Sequence, residues 1–227
     1  MTILNLGLAV SLAGPLLYVF ASRRFSLDSL SLPGRLLFWM LAAVALIIAA
    51  HGDGAWMGHL GLRKFEWPDF FGSVVAIMAM LGGAILLSPL ITKLGLGRGS
   101  ASEMQKNIIA LPIPRRCFIV VTAAVTEEIL YRGYAIGLGQ EIFGSLSVSF
   151  IVSLAMFVAA HFSHGARALP IILWITLVNS LLFVVTGNLF ACILAHFVID
   201  AMGTLYFPWV ASRHRARAAS QAGPPGP

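Results

Sequence analysis

Charge is what this sequence has least of. Asp, Glu, Lys and Arg make up only 11% of its 227 residues, against 59% hydrophobic residues and a mean hydropathy of +0.89. Soluble domains carry about 25% charged residues and do not sustain repeated long apolar runs, so a soluble protein is excluded. Nucleic-acid binding is excluded with it, because the net charge of +6 is scattered between apolar runs rather than gathered on one face. Cysteine is nearly absent: Cys117 and Cys192 stand in apolar runs with no C-x-x-C spacing, and read as small core residues or a helix-to-helix contact. Motifs are missing too. There is no His-Glu-x-x-His zinc helix, no Gly-x-Ser-Gly nucleophile loop and no Gly-x-Gly-Asp pair, and Ser145, Ser147 and Ser149 read as helix-start residues. No Lys or Arg precedes Arg23, so Ile3 to Ala21 lacks the basic start of a cleaved signal peptide and is expected to remain as a first span.

What is present is a series of apolar runs. They cover Ile3–Ala21, Leu36–Ala50, Phe70–Ile91, Cys117–Ile136, Leu146–His161, Leu169–Thr186 and Leu189–Val210, each near the length that crosses ~30 Å of hydrocarbon. The expected fold is an all-α membrane protein, a polytopic bundle of about seven transmembrane helices with a catalytic cavity inside it. An eighth stays open through Trp56–Trp67 and Ala110–Pro114, which could be interfacial or re-entrant. Residues 1–211 form one domain with no internal repeat, and 212–227 are expected to be a disordered cytoplasmic tail. Seven spans alternate sides, and twelve of the fifteen cations then fall together: Arg23, Arg24, Arg35, Lys93, Arg98, Lys106, Arg115, Arg116, Arg167, Arg213, Arg215 and Arg217. Lys and Arg accumulate on the cytoplasmic side of short loops, so the expected orientation is N-terminus outside and C-terminus in the cytoplasm, in a membrane read as a bacterial inner membrane.

Against that background the stretch Thr126-Glu127-Glu128-Ile129-Leu130-Tyr131-Arg132 stands out. An ionisable side chain at bilayer depth is costly and marks a cavity or a functional site. On a helix Glu128 and Arg132 are four apart with the acid first, the favourable order for an ion pair. Glu127 is left without a cation of its own helix, roughly 100° around from Glu128 and above Tyr131. Three more polar groups interrupt late spans: His161, one turn after Phe157, and His196 with Asp200, four apart on one face. No polar side chain lies four residues to either side of His161.

A carboxylate and an imidazole converging on one water can deprotonate it as it attacks a carbonyl, and a second imidazole can stabilise the oxyanion. That is peptide hydrolysis without a covalent nucleophile, and no cofactor is favoured. The same groups leave a zinc site open, with Glu127, His161 and His196 as ligands. A non-enzymatic membrane protein, an immunity or transport protein using the buried charges for packing or proton movement, is the competing class.

Taken in order and spacing, Glu127-Glu128-x-x-x-Arg132, Phe157-x-x-x-His161 and Gly187-x-Leu189 leading to His196-x-x-x-Asp200 resemble the CPBP family of intramembrane peptidases (CAAX protease and bacteriocin-processing, also called ABI) over about residues 117–203. The resemblance implies that Glu127 and His161 activate water, and that His196 and Asp200 form the oxyanion site, with Glu128, Arg132, Tyr131 and Phe157 in support. It also implies a CAAX-type intramembrane protease and a peptide or protein substrate, membrane-anchored or lipidated, cut near its C-terminus. Many members carry Asn where this chain has Asp200, and an Asp can donate there only when protonated.

Overall fold

Each of the seven apolar runs lies in a helical body of the computed structural model, which describes residues 2–25, 30–94 and 103–221; among these residues there is no strand. α1 is Ile3–Arg24, α2 Leu32–Gly52, α3 Trp56–His59 and α4 Trp67–Lys93, followed by α5, Glu103–Ala110, and α6, Ile113–Glu127. α6 runs without a break into a π-helical segment, Glu128–Leu138, and then α7, Gly139–Phe143. α8 is Leu146–Ala160, with a 3-10 turn at Phe162–His164, and α9 is Leu169–Thr186. α10, Leu189–Ala201, continues through a second π-helical segment, Met202–Tyr206, into α11, Phe207–Gln221.

Local sequence explains the starts. Ser31, Ser145 and Asn188 cap α2, α8 and α10 by accepting from Gly34 N, Val148 N and Phe190 N. Among the described residues five helices are long and apolar enough to cross a membrane: α1, α2, α4, α9 and the continuous Leu189–His214 body. α8 has only 15 residues, and the α6 body carries Arg115, Arg116, Glu127, Glu128 and Arg132. The segment around Trp56 forms no long helix; the four-residue α3 packs against the first π-helical segment. Residues 212–221, expected to be disordered, are helical, a correction that follows from their content of Ala, Arg and Gln, all strong helix formers. Arg98 of the basic set and residues 222–227 lie outside the described residues.

The Glu128–Leu138 segment is the centre of the bundle. Every residue from Glu128 to Ile136 is buried, because other helices surround it. On one side Leu130, Tyr131, Tyr134 and Leu138 join Leu8 and Leu12 of α1, Ala45 of α2 and Phe157 of α8. On the other Ile129 and Ile136 join Met80 of α4, Phe183 of α9 and Cys192 of α10. Cys192 is a buried core residue and Cys117 is half-buried; both are free. Small residues permit the close approaches, as is usual between membrane helices: Trp174 Nε1 donates to Ala79 O at 3.0 Å across α4 and α9, and its ring lies against Gly83.

The start of α10 is pinned by a polar clip. Arg63 donates to Asp69 Oδ1 at 2.7 Å and to Thr186 O at 2.6 Å, Asn188 Nδ2 donates to Asp69 Oδ2 at 2.9 Å, and Leu189 N donates to Gly61 O at 2.9 Å. With Asp69 only 1% exposed, its carboxylate is matched by donors on every side, which a buried charge requires. α10 is thereby fixed against the α3–α4 connection at one end, and its register sets where His196 falls.

Gly137 is a sharp test of this packing. A Cβ there would lie 1.9 Å from His59 O, a backbone atom that cannot swing away, whereas one on Gly54 would meet open space. Gly137→Ala is expected to destabilise the protein by about 1–3 kcal/mol, the usual range for overpacking. Gly54→Ala should leave the thermal unfolding midpoint in detergent unchanged, and equal midpoints for the two variants would show that α3 does not pack against the central segment.

Candidate active site

The two adjacent glutamates sit at the junction where α6 becomes π-helical. A π-helical turn is wider than an α-helical one and shifts backbone pairing to i→i+5, a local distortion frequent at functional sites. Ser153 Oγ supports it from α8 by donating to Tyr131 O at 2.7 Å. The expected Glu128–Arg132 pair forms, with Arg132 Nη1 donating to Glu128 Oε1 at 2.7 Å and the side chains 1% and 0% exposed. The rest of the guanidinium is used as well: Nε donates to Ser180 Oγ at 3.3 Å, and Nη2 to Thr176 Oγ1 at 2.6 Å and Thr176 O at 3.1 Å. Its carbon stands 4.8 Å above the centre of the Phe157 ring. Sequence reasoning did not find Thr176 and Ser180 of α9, since nothing marks one hydroxyl in an apolar helix as a guanidinium partner.

Glu128 does more than neutralise Arg132. The same oxygen, Oε1, accepts from His196 Nδ1 at 2.7 Å across 68 residues of sequence. A carboxylate oxygen only accepts, so Nδ1 carries the hydrogen and Nε2 is the free corner of the ring. Asp200 Oδ2 lies 3.6 Å from that Nε2, on the expected shared face but beyond hydrogen-bond reach. Its side chain is 36% exposed, whereas Glu128 is sealed.

Glu127 belongs to a different pair. Its Oε2 lies 3.7 Å from His161 Nε2, and that oxygen is buried without a hydrogen-bond partner. His161 closes α8, where its Nδ1 donates to Phe157 O at 2.8 Å and its ring stacks on the Phe157 ring at 4.3 Å and 16°. The group that orients His161 is therefore a main-chain carbonyl and an aromatic face, which explains why no polar side chain four residues away was needed. Phe157 in turn meets Tyr131 edge to face at 4.9 Å, so both supporting aromatics line the pair, and the Tyr131 hydroxyl is likewise buried without a partner.

The four expected catalytic residues are thus brought into one region by three helices. The sequence missed two neighbours. His164 of the 3-10 turn lies 5.1 Å, ring to ring, from His161, and Arg35 of α2, counted from the sequence only as a loop cation, acts electrostatically on the Glu127 carboxylate together with His196, Asp200 and Glu128. Among the described residues no three His, Cys, Asp or Glu side chains converge as metal ligands do; His196 Nδ1 is held by Glu128, and Glu127 and His161 make a set of two.

Chemically the region offers two opposed halves. Glu127 and His161 present acceptors, and His196 presents the corner of a ring whose other nitrogen is anchored on a buried carboxylate. The part of the chain that contains all of these residues matches the family model described as "Type II CAAX prenyl endopeptidase Rce1-like", over residues 109–202. No curated protein and no solved structure matches the chain. Over residues 109–202, with its paired glutamates, two histidines and Asp200, the chain is similar to the Rce1-like type II CAAX prenyl endopeptidases.

Proposed function

We propose that this protein hydrolyses a peptide bond near the C-terminus of a membrane-associated or lipidated substrate, with a water activated by Glu127 and His161. The family gives the class, a CAAX-type endopeptidase acting on a peptide or protein in a membrane. One observation carries the mechanism. Because His161 spends its Nδ1 hydrogen on Phe157 O, its Nε2 presents a lone pair toward Glu127 Oε2, 3.7 Å away. Two acceptors facing each other cannot bond, but one water can donate a hydrogen to each, leaving its oxygen lone pairs directed at a carbonyl carbon.

The proton balance is simple. Glu127 takes one proton as the water oxygen bonds to the carbonyl carbon, and returns it to the amine nitrogen as the C–N bond breaks. His196, held through Nδ1 by Glu128, donates from Nε2 to the carbonyl oxygen when it carries both protons. Asp200 beside it adds a second donor only in its protonated form. No step is routed through a metal; a zinc ion held by Glu127, His161 and His196 is the alternative, a catalytic zinc typically having three protein ligands. The orientation proposed, N-terminus outside and C-terminus in the cytoplasm across seven spans, rests on the sequence, where twelve of the fifteen cations fall on one side of alternating spans.

Glu127→Gln should abolish cleavage of a lipidated C-terminal peptide while folded protein still accumulates; retained cleavage would remove Glu127 from the reaction, and a biological activity that survives the loss of cleavage would leave the non-enzymatic reading standing. Glu128→Gln and Arg132→Ala should instead lower the amount of folded protein, since breaking a buried pair costs about 3–5 kcal/mol. Equal yields of all three variants would contradict that division of labour. Purified enzyme stripped by a chelator and shown metal-free by elemental analysis should still cleave, and His161→Ala should not; activity restored only by stoichiometric zinc would make Glu127, His161 and His196 the ligands. A reporter fused at the C-terminus should be active only in the cytoplasm, and periplasmic activity would require an even span count or an inverted bundle.

A further inference from the structure

Away from the catalytic cluster, the outer side of α10 forms one wall of a large apolar groove. It holds about 900 Å³ and is lined by Ile109, Phe197, Val198, Leu205 and Trp209, with Arg116 among them. A smaller pocket of about 180 Å³ adjoins it through Trp209 and is lined by Val210, Arg213, His214 and Arg217. Among the described residues neither lining contains an Asp or Glu.

Helix geometry separates this groove from the site. At roughly 100° per residue, Asp200 stands about 40° from His196, while Phe197, Ala201 and Val198 stand about 100°, 140° and 200° away. The groove therefore lies around the back of α10, and the scissile segment that meets His196 does not occupy it. Its depth points to a different occupant. From Phe197 to Ser212 the helical body rises about 22 Å at 1.5 Å per residue, close to half of the ~40–45 Å thickness of a bilayer with its headgroups. Tyr206 and Trp209, 53% and 48% exposed, are of the residue types that collect in aromatic belts at membrane interfaces.

We propose that the groove seats one anionic phospholipid, its acyl chain along Phe197, Val198 and Leu205 and its phosphate between Arg116 and Arg213. Charge complementarity selects an acidic headgroup, since two guanidinium groups border the groove and no carboxylate of the described residues lines it. Arg213 keeps its charge while lying 4.3 Å from the centre of the Trp209 ring, and Arg116 uses Nη1 on Thr204 O at 2.8 Å and has a buried Nε with no acceptor. Thr204 Oγ1 in turn donates to Asp200 O at 2.7 Å. Arg116 is thus two hydrogen bonds from the backbone of a site residue, and a headgroup bound to it steadies the end of α10 that carries Asp200.

The test is lipid retention by the full-length protein in detergent, followed by native mass spectrometry and thermal unfolding with phosphatidylglycerol or phosphatidylcholine of equal chain length. Wild type should retain one phosphatidylglycerol, bind it roughly tenfold or more tightly than phosphatidylcholine, and unfold at higher temperature with it. Arg213→Gln should reduce that preference about fivefold, and Arg116→Gln with Arg213→Gln should abolish it. Lys64→Gln, in a different part of the fold, should leave it intact. Glu127→Gln should keep the full preference, so that failure of the lipid site and failure of the peptidase reading are told apart. Equal retention of the two lipids, an unchanged preference in Arg213→Gln, or displacement of bound phosphatidylglycerol by a prenylated peptide would each overturn the proposal.

Discussion

One carboxylate oxygen holds the centre of this protein together. Glu128 Oε1 accepts from Arg132 on its own segment and from His196 on α10, both at 2.7 Å, with the acid fully buried. In a low-dielectric interior an isolated carboxylate is costly enough to forbid the fold, and removing either partner leaves the others unmatched. The arrangement ties three helical bodies to one point: the π-helical segment, α10 through His196, and α9 through the Thr176 and Ser180 contacts of Arg132. Such a network gains little net stability over an apolar core of the same volume. What it does gain is orientation, because the His196 ring cannot turn without breaking the bond to Glu128.

The neighbouring glutamate is freed by the same bond. Since Glu128 takes Arg132, Glu127 reaches a helix on another side of the bundle and meets His161. Two consecutive acids with unlike partners require that the backbone between them be held firmly, and the junction of α6 with a π-helical segment, propped by Ser153 on Tyr131 O, supplies that. Tyr131 meets Phe157 edge to face, and Phe157 stacks on the His161 ring and so holds that imidazole in a fixed plane.

Much of this was legible in the sequence because bilayer burial makes each polar residue conspicuous. The apolar runs fell on helices, and the i,i+4 spacing of Glu128 and Arg132 gave a pair that forms as expected. Other features have no local signature. The bond from Glu128 to His196 spans 68 residues, the π-helical widening leaves no mark in residue type, and Arg35 looks like any loop cation until α2 brings it toward Glu127. Asp200 illustrates the limit of spacing: it shares the face of His196 as read, yet stands 3.6 Å off, too far to claim the Nε2 corner. The helix through residues 212–221 was missed for the opposite reason, since lack of apolar periodicity was read as disorder where intrinsic propensity suffices.

The charges of the site also suit a reaction inside a membrane. In the proposed reaction, with His196 carrying both protons, the three carboxylates Glu127, Glu128 and Asp200 are opposed by Arg35, Arg132 and His196, so the cluster as a whole is close to neutral. In that proposed reaction Glu127 takes a proton from the attacking water, and its own negative charge is lost as the oxyanion's appears. The charge moves across the site, from the Glu127 carboxylate to the carbonyl oxygen facing His196, without changing the total. Water is not required to solvate a new ion at bilayer depth, because fixed donors already point where the charge arrives. A design in which the base began neutral would create charge separation in a poor solvent, and the pairing of an open carboxylate on one side with an anchored imidazole on the other avoids it.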